Sequence, residues 1–453
     1  MKALRHGVGR FSRKAVDRLS TGIPNNVLQT KPPPSNSSEQ YQVPDDVIYE
    51  LAHYLDTHHL YNLLLLDKSI YELVLPLLWL DIDTRESVNP EKKIGDLNKA
   101  LQLKPERALL IKRWVVGMEV AMTENLKLSA STVNTIIELS CKGNLVNLTK
   151  FWWFCKKAPV DELWASLHSN CPMLKDIGMR RGPDDLIIEP NSCLLKFRDL
   201  TGFHLTSHGV YRHHHPNQID AAVNATSIPP ALYEMLVKHS PQLRELTLDG
   251  SCPERSIWDV WPILEGTWPE LQSLSLGMVN CFNKSRPAAK EESIIREFMD
   301  RHPTLREVRF CGSAHWINSE TTYAIPSHNN LTFFWGRNAQ LKRAERLPCL
   351  RSVYLTDLFV DSANFSGILK RFDAITTLGL IIDEQQGKVK TLCQSIFDAC
   401  PSLVHLDLRF RVGLAYYVGA GLISVCGPII YRYLWTRRLR LLKHRDRPLI
   451  SVL

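Results

Sequence analysis

Apolar residues follow two different rhythms along this chain. Between residues 43 and 82 they recur every three or four positions, as on one face of a helix. Further on they fall into a phrase in which one apolar residue is followed by two more, three and five places later. Its clearest form is Cys171-Pro-Met-Leu-Lys-Asp-Ile-Gly-Met179, and it returns at 240–248, 268–276, 302–310, 347–355, 372–380 and 400–408. Weaker copies lie at 144–151, 197–200 and 330–334.

The phrase has a direct physical reading. A proline stops the preceding helix, because its ring and missing N–H cannot continue the hydrogen-bond ladder. The next apolar residue packs at the turn, and the alternation that follows makes a short strand with one apolar face. Amphipathic helical stretches such as 230–239 and 291–301 separate the copies. Steps of 28, 34, 25 and 28 residues between turn positions 243, 271, 305 and between 350, 375, 403 suit stacked helix–turn–strand units. The expected fold class is α/β, a solenoid over residues 105–411 with parallel strands on its concave face. Its first strand is predicted within Leu109 to Val120. A plain α/β domain whose strands begin alike is the competing account, and seven copies of one grammar argue against it. The x positions Lys175, Arg244, Gln272, Arg306 and Arg351 vary too much in type to name a ligand.

Residues 43–82 predict three short helices. Asp45 and Asp46 follow Pro44 and can cap a helix carrying Val47, Ile48, Leu51 and Leu55. A second start at Asp56-Thr57 precedes Leu60, Leu63 and Leu64. The third pattern is Ile70, Leu73, Val74, Leu77 and Leu78, with Pro76 expected to kink or restart it. Forty residues cannot bury so many leucines among themselves, so the surplus packs on the rest of the chain or meets a partner.

Val43-Pro44, the helix ending in Tyr54-Leu55, the His59-Leu60 step and the late Leu78-Trp79 together resemble an F-box. Val43 replaces that family's first Leu, and no Trp stands near Ile70-Tyr71. The resemblance implies docking onto the small adaptor subunit of a cullin–RING ubiquitin ligase. Pro44, Val47, Ile48, Leu51, Leu55, Leu60, Leu63 and Leu64 are then the adaptor-binding candidates. An F-box followed by irregular leucine-rich repeats is similar to the layout of one large F-box subfamily. The expectation is a substrate-recognition subunit of an SCF-type ligase whose repeats bind a protein substrate. The alternative is a non-ligase leucine-rich-repeat scaffold, either free or tethered to a membrane by its C-terminal apolar segment.

Charge and composition narrow the function classes. The net charge of +8 is concentrated in the tails, with +5 in residues 1–42 and +6 in residues 432–453. The body is thus slightly acidic and gives no footprint for nucleic acid. Eleven scattered cysteines without a Cys-x-x-Cys pair argue for reduced, mostly buried thiols rather than disulfides or a zinc ribbon, and for cytoplasm or nucleus. Residues 1–23 are Arg-rich and acid-poor, as in a mitochondrial presequence or a plain basic arm, and 24–42 read as a Pro/Ser linker. Residues 412–453 join an uncharged stretch, 412–431, to a basic flank. That stretch is long enough to span a bilayer or to cap the array. His213, His214 and His215, near His204 and His208, are adjacent in sequence and so poorly placed to converge on one ion. Neither catalytic motifs nor a phosphate-cradling loop occurs, so the expectation is no catalytic residue, no cofactor, no metal and no enzyme.

Overall fold

A computed structural model of the chain describes residues 43–55, 57–85, 89–117, 126–155, 157–181, 188–207, 229–250, 261–276, 288–310, 325–344, 347–359, 367–383, 389–411, 438–444 and 447–452. The expectations for residues 1–42, for 412–431 and for the histidines at 213–215 lie outside the described residues. The chain divides into two compact units, Met1–Tyr54 and Leu55–Leu453.

In the first unit, helix α1 spans Asp45–His53. Pro44, not an aspartate, occupies the capping position, and no side chain caps the helix. Asp45 and Asp46 instead lie in the first turn, where their charge favours the positive end of the helix dipole.

The second unit opens with helices α2 (Thr57–Leu63) and α3 (Lys68–Leu80). Asp67 caps α3, its Oδ1 accepting from the Ile70 amide at 2.9 Å. Pro76 lies inside α3, so the expected restart does not occur there. A 14-stranded sheet follows, in which every strand pairs with its neighbours in sequence. Strands β1 to β12 run parallel. The last two pairings, β12–β13 and β13–β14, are antiparallel.

The chain order is β1 (Asp81–Asp83), helix α4 (Pro90–Leu103), β2 (Arg113–Gly117), helix α5 (Leu126–Cys141), β3 (Lys150–Phe154), helix α6 (Asp161–Asn170) and β4 (Asp176–Arg181). Then come β5 (Gly202–Ser207), the helical turn α7 (Pro230–Tyr233), β6 (Glu245–Gly250), β7 (Ser273–Leu276), helix α8 (Ala288–Arg301), β8 (Glu307–Phe310) and β9 (Phe333–Gly336). The array closes with α9 (Asn338–Arg343), β10 (Ser352–Phe359), β11 (Thr377–Asp383), α10 (Val389–Ala399), β12 (His405–Arg411), β13 (Arg438–His444) and β14 (Arg447–Val452). The sheet thus begins at Asp81, ahead of the strand predicted within 109–120.

The phrase is visible as structure. In all seven strong copies the three apolar positions are buried, for example Leu243, Leu246 and Leu248, or Leu403, Leu406 and Leu408. They join one continuous core with the buried faces of the flanking helices. The residue after the first apolar position forms the turn. Its carbonyl accepts two amide protons from the next copy, at 2.7 to 3.1 Å. Lys112, Thr149, Lys175, Thr201, Arg244, Gln272, Arg306, Thr332, Arg351 and Thr376 form this ladder in succession. A carbonyl oxygen has two lone pairs, and here both are used.

Residues just before the phrase proline also link neighbouring copies. Ser240 Oγ accepts from the Leu200 amide, and His302 Nε2 accepts from the Trp268 amide at 2.9 Å. His302 Nδ1–H then donates to the Phe298 carbonyl, and His328 Nε2–H to the His302 carbonyl at 3.1 Å. The buried His302 ring stacks on Phe298 with centroids 4.1 Å apart. Burial pushes its pKa down to about 4.

This neutral imidazole makes stability depend on pH. The unfolded chain takes up the His302 proton below its ordinary value of 6.5, whereas the folded chain resists it until about 4. His302 therefore supports the fold fully above pH 6.5, and that support is lost as pH falls towards 4, by on the order of 3 kcal/mol. Chemical denaturation at several pH values should show this loss, and His302→Gln should flatten the slope between pH 6.5 and 4. An unchanged slope in that variant would assign the proton uptake elsewhere.

Candidate functional site

The residues expected at an adaptor interface divide by exposure. In α1, Pro44, Val47 and Leu51 are exposed, Leu51 at 58%, while Ile48 is half-buried. In the second unit Leu55 is exposed, Leu63 half-buried, and Leu60 and Leu64 buried. Leu60 and Leu64 thus serve packing in this structure. Leu65 and Leu66, absent from the expected set, are 65% and 66% exposed in the turn before α3.

A second candidate lies on the sheet. In β3 to β6 the second and fourth residues face the core, so the first and third project from the other face. The strand register places Lys150, Asp176, Gly202 and Glu245 in one row across β3 to β6. Trp152, Gly178, His204 and Thr247 form the next row. The x positions singled out from sequence, such as Lys175 and Arg244, belong to the turn ladder instead.

These two rows build a dense polar cluster. Lys150 Nζ lies 2.6 Å from Asp176 Oδ2 and 3.9 Å from Glu245 Oε2. The same ammonium sits 3.9 Å from the centre of the Trp152 ring, a cation–π contact. Trp152 Nε1–H donates to Asp176 Oδ1 at 2.7 Å. His204 stacks obliquely on Trp152, with centroids 4.2 Å apart, and its Nδ1 is 3.0 Å from the Thr247 hydroxyl. His204 Nε2 lies 3.6 Å from Asp176 Oδ1 and 3.3 Å from Glu245 Oε2. Asp176, His204 and Glu245 could therefore present one donor atom each to a metal ion, all within 4.8 Å of one another.

Glycines make room for this arrangement. A Cβ on Gly178 would meet Trp152 Cδ1 at 2.6 Å, and one on Gly202 would meet the Asp176 carboxyl at 2.5 Å. The His204 ring holds the Glu245 carboxyl below the usual range against the pull of burial, with help from the charges of Lys150 and Arg309. Alongside, Arg85 and Arg113 both pair with Asp83, at 2.7 and 3.2 Å. Burial works to raise the Asp83 carboxyl, but the Arg85 hydrogen bonds and both arginine charges outweigh it and lower its pKa. Arg85 also lies over the Trp152 and Phe154 rings.

Farther along the same face an aromatic patch appears. Tyr354 stands 5.6 Å from Phe333 and 5.7 Å from Trp335, centroid to centroid. Arg309 covers Phe333 and pairs with Glu307 at 3.1 Å. A Cβ on Gly379 would strike the Tyr354 ring, so this glycine is the floor on which the ring lies.

The cysteines before phrase prolines are core residues. Burial pushes the Cys171 and Cys400 thiols up to about 11, which keeps them protonated at neutral pH. Among the described residues no helix is long and apolar enough to cross a membrane.

The Trp152–Gly178 contact can be tested directly. Gly178→Ala should force the indole out of place, costing about 1–3 kcal/mol by overpacking and changing the near-ultraviolet circular dichroism. A spectrum and midpoint equal to the parent's would mean that the ring does not lie across Gly178.

With this geometry established, comparison with known proteins adds no assignment: no family model matches the chain, and no curated protein matches it.

Proposed function

We propose that this chain is the substrate-recognition subunit of an SCF-type ubiquitin ligase, with an F-box near its start and a leucine-rich-repeat solenoid after it. The observations that carry the reading are large apolar side chains left exposed in each unit, Val47 and Leu51 in the first and Leu55, Leu65 and Leu66 near the start of the second. Soluble proteins expose single leucines freely, but several exposed in one short stretch of sequence point to contact with a partner. The F-box resemblance of that stretch names the partner as the adaptor subunit of a cullin–RING ligase. The sequential parallel sheet supports the second half of the reading, because stacked repeats offer a broad face to a protein.

In this role the chain needs no catalytic group. It raises the local concentration of substrate lysines near a ubiquitin-carrying enzyme bound elsewhere in the complex. The substrate is held on the face that carries Trp152, Trp335 and Tyr354, since half-buried aromatic and arginine side chains are common interface anchors.

Adaptor capture by the full chain is the deciding experiment. Leu51→Asp, and separately the pair Leu65→Asp with Leu66→Asp, should weaken capture more than tenfold. Each buried leucine contributes about 1.5–3 kcal/mol to a docked interface. Circular dichroism should be unchanged, because these side chains are exposed. Capture by both variants at parental strength would remove these leucines from the interface. A folded parent that captures nothing would leave a repeat scaffold outside any ligase.

A further inference from the structure

His204 contains a polar atom whose needs the protein does not meet. The residue is only 9% exposed, and its buried Nε2 meets no partner in good hydrogen-bond geometry, although the Glu245 carboxylate lies 3.3 Å away. That nitrogen is aimed between Asp176 Oδ1 and Glu245 Oε2, 3.6 and 3.3 Å away. Nδ1 is already engaged by the Thr247 hydroxyl. With Nδ1 engaged by Thr247, the Nε2 lone pair faces two carboxylate oxygens, a donor set that a bound cation would satisfy.

The spacing favours a cation of a particular kind. Zinc binds imidazole nitrogen and carboxylate oxygen at roughly 2.0–2.2 Å, which sets tetrahedral donors about 3.4 Å apart. Both separations from Nε2 lie close to that value. The Thr247 contact to Nδ1 is the kind of outer partner that fixes the tautomer and tilt of a ligating imidazole. A donor set of one nitrogen and carboxylate oxygens suits a borderline metal better than calcium, which takes six to eight oxygens.

We infer that Asp176, His204 and Glu245 form a site for one divalent transition-metal ion of the zinc type, for which the Lys150 ammonium is the built-in competitor. Lys150 Nζ, 2.6 Å from Asp176 Oδ2, supplies part of the charge that the dication would bring. Metal binding displaces it and clamps β4, β5 and β6 together across the rows. Three protein donors leave a fourth position for water. The site stands whether or not the chain serves a ligase.

The test uses the full chain with His213, His214 and His215 replaced by serine, so that this histidine run cannot supply ligands. Zinc titration by calorimetry should show one ion per chain with a Kd on the order of micromolar or tighter. Cobalt(II) should give the visible absorption of a low-coordinate site. His204→Gln and Glu245→Gln should each weaken zinc binding by about tenfold or more, whereas Lys150→Met should tighten it by a similar factor. Melting curves confirm that each variant folds, and Glu245→Gln carries the test should His204→Gln not fold, because the Glu245 side chain is 46% exposed. No zinc uptake by the parent overturns the inference. So does uptake that none of the three substitutions changes.

Discussion

The Lys112 carbonyl receives the amide protons of both Thr149 and Lys150, and nine further turns repeat that arrangement up to Thr376. One acceptor serving two donors fixes both the position and the tilt of the incoming turn. Each copy is thereby registered on the one before it. The apolar triplets can then meet in a single core, and the first and third strand residues can line up in rows on the opposite face. Were a turn to slip by one residue, its strand would exchange the two faces. Leu246 would leave the core and Glu245 would enter it.

That registration explains how a polar cluster arises from residues far apart in sequence. Lys150, Asp176 and Glu245 share a row only because their turns are bonded in series. The cluster is tightly packed because glycines alternate with large groups: Gly178 lies under Trp152, Gly202 beside Asp176, and Gly379 under Tyr354. Its charges are arranged so that Glu245 and Asp83 both remain ionised below the usual carboxylate range.

Much of the architecture was legible in the amino-acid sequence, because each apolar triplet carries its own turn and strand signal. Strand β1 was not, since Asp81-Ile82-Asp83 offers a single apolar residue and pairs only because α3 delivers it beside β2. The open rows were not legible either. The x positions of a phrase look alike in sequence, and only the register separates the turn residue Lys175 from its neighbour Asp176, which faces outward. Near the start, helical periodicity marked Leu51, Leu60, Leu64 and Leu55 as one class. It could not say that Leu60 and Leu64 are buried while Leu51 is exposed. The turn leucines Leu65 and Leu66 follow no period, and so nothing in the pattern singled them out.

The interval between bonded turns is far from constant. Thr201 bonds Lys175 across 26 residues, whereas the side chains of His204 and Thr247 meet across 43. The rows nevertheless stay aligned through both steps. Registration is thus indifferent to how much chain is spent between one strand and the next. A lineage carrying this architecture can lengthen or shorten those excursions over generations without disturbing the face that a partner would meet. Geometry at the sheet and length between strands are free to evolve on separate clocks.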